Sequence, residues 1–117
     1  MAITAAFENS ATISTTEYSL PANTTTGVPT SQTDDGIYQI FIDLNALTVT
    51  EQYELKIYEK VQSAGTQRLV DQRTFTGVQS VPNFVLPSLI LLHGWEVTLK
   101  KLAGTDRAIA WSIRKVA

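Results

Sequence analysis

Residues 37–44 read IYQIFIDL, and this stretch decides the fold. Tyr38, Ile40, Ile42 and Leu44 fall on one side of an extended chain, and Ile37, Gln39, Phe41 and Asp43 on the other. An apolar period of two is what a strand with one buried face requires, whereas a helix would need a period near 3.6. The β-branched and aromatic content of the stretch agrees with that choice.

The same alternation recurs downstream. Gln52–Val61 sets Tyr53, Leu55 and Ile57 inward and Glu54, Lys56, Tyr58 and Lys60 outward. The turn QSAGT at 62–66 then predicts a hairpin return over Arg68–Thr76, with Leu69 and Phe75 inward. A loop at 77–82 leads to a strand over Asn83–Leu92. After His93-Gly94, a strand over Trp95–Leu102 directs Trp95, Val97 and Leu99 inward. The turn Gly104-Thr105-Asp106 precedes Arg107–Val116, with Ile109, Trp111 and Ile113 on one face. Between residues 44 and 52, NALTVTE reads as a short turn with Leu47 tucked in.

Upstream, residues 3–20 read as one or two extended segments anchored by Ile13 and Tyr18. Residues 21–36 (PANTTTGVPTSQTDDG) carry two prolines, two glycines and an Asp-Asp-Gly turn signal, and read as a loop of unusual length. Seven or eight short strands at about ten-residue spacing predict an all-β protein, an antiparallel β-sandwich of jelly-roll or immunoglobulin-like type. The expected organisation is an extended arm or first strand over 1–20, then a single sandwich domain over 21–117 with a long loop at 21–36.

A chain of 117 residues is long enough for one core without covalent staples, and it contains no cysteine that could supply any. The opening residues MAITAAFENS carry neither a basic n-region nor an apolar h-region, so no signal peptide is expected. The longest apolar run, Phe84–Leu92, is broken by Pro87 and Ser88 and is far shorter than the roughly 20 residues a membrane-spanning helix needs. A soluble protein without a membrane partner is expected.

Charge is unevenly divided along the chain. Residues 1–55 hold seven carboxylates and no lysine or arginine, whereas 56–117 hold all nine basic residues. In a sandwich, distance along the chain says little about distance in space, so strands from the two halves are expected to interleave and mix these charges.

Residues able to do covalent or acid–base chemistry are few. His93 is the one histidine and there is no thiol, so a nucleophilic triad could be built only around that imidazole, and one imidazole is too few for a histidine zinc set. His93 reads as a turn residue. Asp34-Asp35 lacks the spacing of a calcium loop and reads as a turn cap. Lys100, Lys101, Arg107, Arg114 and Lys115 lie near Trp111, but they alternate along strands, and a pI of about 5.2 disfavours phosphate binding. No catalytic, cofactor or metal residues are therefore assigned, and no nucleic-acid partner.

The segment FVLPSLILL at 84–92 is the exception to the alternation. Phe84, Leu86, Ile90 and Leu92 fall on one face and Val85, Leu89 and Leu91 on the other, so both faces are apolar. Pro87 cannot donate a ladder hydrogen bond, which predicts an edge or bulged strand. An antiparallel strand in a small sandwich should have one wet face. Phe84, Val85, Leu89 and Leu91 are accordingly predicted to contact a partner chain or another copy.

The runs TDDGIYQIFIDLNAL, YELKIYEKV and GWEVTLKKLAGTDRAIAWSIRKV resemble small virion proteins of tailed bacteriophages, over roughly residues 11–117. The resemblance implies a head decoration or minor capsid protein, made in the host cytoplasm. Such a protein binds the major capsid protein, associates with its own copies on the capsid surface, and stabilises the head by many weak contacts acting together. The Thr-rich N-terminal third would be an arm on the lattice. A tail or neck protein of the virion and a carbohydrate-binding sandwich are the alternatives. The latter needs exposed aromatic rings, and Trp95 and Trp111 are predicted to lie in the core.

Overall fold

The computed structural model describes residues 3–26 and 32–116. Among them there are nine strands and no helix. In chain order these are β1 (Ile3–Ile13), β2 (Tyr18–Ser19), β3 (Thr24–Thr25), β4 (Gly36–Asp43), β5 (Gln52–Glu59), β6 (Arg68–Thr76), β7 (Asn83–Leu91), β8 (Glu96–Ala103) and β9 (Arg107–Val116). They form two antiparallel sheets, a four-stranded one in the order β1-β9-β4-β7 and a five-stranded one in the order β3-β2-β8-β5-β6. The protein is an all-β sandwich, as the period of two predicts. Seven strands are of ordinary length; the count reaches nine through the two-residue β2 and β3.

The inward faces are those the alternation assigns. Tyr38, Ile40 and Ile42 of β4 meet Tyr53, Leu55 and Ile57 of β5, with Val97 and Leu99 of β8 and Ile109, Trp111 and Ile113 of β9, all buried. Aromatic rings close one end of this core. Phe7, Tyr38 and Trp95 stack as a trio, with centroids 4.9 Å apart for Tyr38–Trp95 and 5.7 Å for Phe7–Trp95.

Four expectations need correction or narrowing. First, Leu69 is exposed, because the β5–β6 register shifts between Ile57 and Tyr58 and leaves Val70 with no residue opposite it, so Leu69 lies across from Tyr58 on the outer face. Second, Glu54 points outward as expected yet is buried, covered by Lys56 and by Gln72, whose amide donates to it. Third, of arm and first strand, residues 3–13 are the strand: β1 pairs with β9 from Ile3↔Val116 to Ile13↔Arg107, and Phe7 enters the aromatic trio. Fourth, the region 21–36 is only partly a loop. Thr24 and Thr25 pair with β2, and Gln32 bridges to Trp95; residues 27–31 lie outside the described residues.

The unequal charge halves do interleave. Arg107 reaches Glu51 at 2.7 Å and Lys115 reaches Asp34 at 2.8 Å, each pair joining the acidic half to the basic one.

Candidate interaction face

The two-faced strand resolves into a bulge. In the β4–β7 ladder Tyr38 faces Leu89 while Ile40 faces Leu86, so Gln39 stands opposite both Pro87 and Ser88. The extra residue reverses the alternation half-way along β7. Phe84 and Leu86 point inward before the bulge, and Leu89 and Leu91 point inward after it. Of the four residues expected to contact another chain, Leu91 is 2% exposed and belongs to the core. Phe84 and Leu89 are half-buried against that core, Phe84 edge-on to Phe75 at 4.9 Å. Val85 alone points out. The partner contact assigned to Leu89 and Leu91 is therefore corrected: the bulge turns both toward their own domain.

What β7 does present to solvent is Val85 and Ile90, and the register across the sheet gives them company. Residues directly opposite in an antiparallel ladder share a face. Ile3 faces Val116, Val116 faces Ile37, and Ile37 faces Ile90. These four side chains run as one row across the whole outer face of the four-stranded sheet. Ile3 is 69% exposed, Ile37 43% and Ile90 76%.

Further along the same face the side chains shrink. Arg114 and Gln39 form the next level, with Ala5 beside them. Then come Glu8, Ser112, Phe41 and Val85, and then Ser10, Ala110, Asp43 and Asn83. The Arg114 guanidinium lies 3.8 Å over the Phe41 ring. Two shallow clefts open where the small residues lie. One of ≈ 250 Å³ is bordered by Glu8, Asp43, Asn83 and Arg114, and one of ≈ 300 Å³ by Ser10, Asn45, Ala46 and Ala108. Among the described residues, Glu8, Asp43 and Arg114 enter no ion pair. The face is thus apolar at one end, cationic next to it, and acidic with small residues toward the other.

The residues considered for chemistry have structural duties. Glu59 accepts from the Leu92 and His93 amides at 2.7 and 2.9 Å, which ties His93 into the β7–β8 turn. The Asp34 backbone carbonyl accepts from the Tyr38 hydroxyl at 2.6 Å and from the Trp95 indole at 2.9 Å. Lys115 first, and then Tyr38, hold the Asp34 carboxyl below its usual range, against the opposing effect of burial. Among the described residues, no cluster of three or more ligand side chains could hold a metal ion. The basic residues are largely committed: Lys101 pairs with Asp106, Arg107 with Glu51, and Lys115 with Asp34.

Glu51 is a hub that the sequence reading left as one more charge. Its carboxylate accepts from the Thr48 amide at 2.7 Å, the Thr105 amide at 3.2 Å and Arg107 at 2.7 Å, and so joins the β4–β5 and β8–β9 turns. Gly104, at φ +91°, makes room for it, since a Cβ there would meet Glu51 Cγ at 2.5 Å. Burial pushes the Glu51 carboxyl up, but the Thr48 and Arg107 hydrogen bonds outweigh it and hold the group below the ordinary 4.5. A carboxyl depressed in the folded state adds stability above its unfolded pKa and loses it as pH falls through the folded value. Thermal melting is therefore expected to hold level from pH 7 to pH 5 and to fall below about pH 4.5. Glu51→Gln should melt lower at neutral pH and show a shallower acid decline. An acid decline identical to the parent's would remove Glu51 from this role.

Compared with known proteins, no family model, curated protein or solved structure matches this chain. The fold defines its class: a small all-β sandwich of two antiparallel sheets.

Proposed function

We propose that this chain is a non-enzymatic structural module that adheres to neighbouring protein subunits through the outer face of its four-stranded sheet. Its setting is the virion of a tailed phage, where it decorates the head. The observation that supports adhesion is the row Ile3–Val116–Ile37–Ile90, in which Ile3, Ile37 and Ile90 stand exposed and Val116 is half-buried between them. A lone soluble domain rarely presents a contiguous apolar surface of this kind without a use for it. The virion setting is supported by the sequence resemblance alone. A sugar-binding role gains little from this face, because its one aromatic ring, Phe41, carries Arg114 stacked upon it.

Binding to capsids tests the proposal. Expanded tailed-phage heads stripped of their decoration proteins are mixed with the pure chain and sedimented. The parent should travel with the heads, and Ile37→Asp and Ile90→Asp should stay in the supernatant with an unchanged far-UV spectrum. Equal binding by both variants would remove the sheet face from the function. Failure of the parent to bind any head would overturn the virion setting.

A further inference from the structure

We infer that the occupant of this face is a second copy of the same chain, stacked sheet against sheet about a twofold axis along the Glu8–Ser112–Phe41–Val85 level. The inference rests on the adhesive reading above and names the partner.

It follows from the order of side chains along β9 and β4. A twofold axis lying in the interface and crossing the strands reverses their direction in the partner, so levels equally far from the axis on either side come together. One step from the axis, the Arg114 position of one copy lies over Ala110 of the other, beside Asp43, which the guanidinium reaches by swinging off the Phe41 ring. Ala110 is small, and the cleft it shares with Asp43 and Asn83 is open enough to admit a guanidinium. Two steps away, Val116 and Ile37 of one copy lie over Ala108 and the Asn45–Ala46 turn of the other, where the second cleft opens. Large side chains thus meet small ones at both levels, and the cation meets an acid. Stacked sheets lie about 10 Å apart, which an arginine can span. Each contact occurs twice, because the interface is isologous.

The charges support the same arrangement. Arg114, Glu8 and Asp43 enter no ion pair among the described residues. In the pair of copies, each Arg114 gains the partner's Asp43. Glu8 and its mate meet on the axis as like charges, a contact that opposes the pairing. No Arg114–Asp43 pairing arises with the axis one level nearer the apolar end, where Arg114 would face the partner's Arg114 and the aliphatic row would cover Glu8 and Phe41.

Sedimentation velocity at low salt tests this. The 12.9 kDa chain should sediment at twice its mass. Arg114→Glu and Asp43→Arg should each sediment as monomers, because each sets like charges against one another at both contacts. An equimolar mixture of the two should return to the dimer. In the mixed pair the introduced carboxylate faces the introduced guanidinium at one contact, and the native Arg114–Asp43 pair forms at the other. The double variant should dimerise alone. Restoration in the mixture is the decisive reading, because a merely misfolded variant would not be rescued. A monomeric parent overturns the inference, as does a dimer that survives Arg114→Glu and Ile90→Asp. If the parent is monomeric but still binds phage heads in a manner lost with Ile90→Asp, only the inference falls. If it is monomeric and Ile90→Asp binds heads like the parent, the adhesive face falls too.

Discussion

Trp95→Ala should lower folding stability by about 3–5 kcal/mol, the usual range for deleting a buried tryptophan. Domains of this size are stable by about 5–15 kcal/mol in total, so the variant would stand at the edge of unfolding. Trp95 is fully buried and holds three things at once. Its ring packs on Tyr38 and Phe7, its indole N–H donates to the Asp34 carbonyl, and its backbone exchanges hydrogen bonds with Gln32 at 2.7 and 3.0 Å. Losing the side chain therefore opens a cavity between the sheets and releases the chain just before β4. Trp111 differs in one respect: its indole nitrogen is buried with no hydrogen-bond partner among the described residues. Trp111→Phe discards a donor that gains nothing in the folded state, whereas Trp95→Phe leaves a carbonyl short of one. Urea denaturation should place Trp95→Phe below Trp111→Phe. Native tryptophan emission should be blue-shifted and poorly quenched by acrylamide; emission close to that of free tryptophan would contradict both burials.

Leu91→Asp should not fold at 25 °C, and Ile90→Asp should. The two positions are neighbours in β7, yet Leu91 is 2% exposed and Ile90 76%. A carboxylate at 91 would enter an apolar core, where Lys115, whose stem lies over the facing Gly36, is already paired with Asp34. It would have to shed its hydration or take up a proton, either of which costs several kcal/mol in addition to the lost leucine. At 90 the same charge stays in water. Far-UV circular dichroism and a melting scan of both variants suffice. A cooperative melt from Leu91→Asp near the parent's temperature would mean that β7 does not turn at Pro87–Ser88 as described.

That pair of positions also marks where sequence reasoning stops. The strands β4, β5, β8 and β9 were legible because each keeps a period of two through its core-facing residues, so Tyr38, Leu55, Val97 and Ile113 could be placed by counting. Counting fails at an inserted residue. Pro87 announced a bulge or an edge, and β7 has both, but the phase reversal that sends Leu89 and Leu91 inward depends on which residue faces Gln39 across the ladder. The shift beside Val70 misplaced Leu69 in the same way. The exposed row was less legible still. Ile37 could be assigned to the outer side of its strand, but Ile3, Val116 and Ile90 become its neighbours only through pairings between strands far apart in sequence. Of the Glu51 partners only the Thr48 amide is local; Thr105 and Arg107, which make it a hub, lie more than fifty residues on.

The position of β9 between β1 and β4 governs when this molecule can form. Of the nine strands it is the last to be synthesised, and until it exists β1 has no ladder and β4 lacks one of its two neighbours. A nascent chain halted before Arg107 contains every strand of the five-stranded sheet and the β4–β7 pair, but β1 is unpaired and β4 keeps an edge open to any other chain nearby. Closure of the four-stranded sheet is then a late event that must draw the first strand to the last. Such non-local pairing places folding in the range of milliseconds to seconds rather than microseconds.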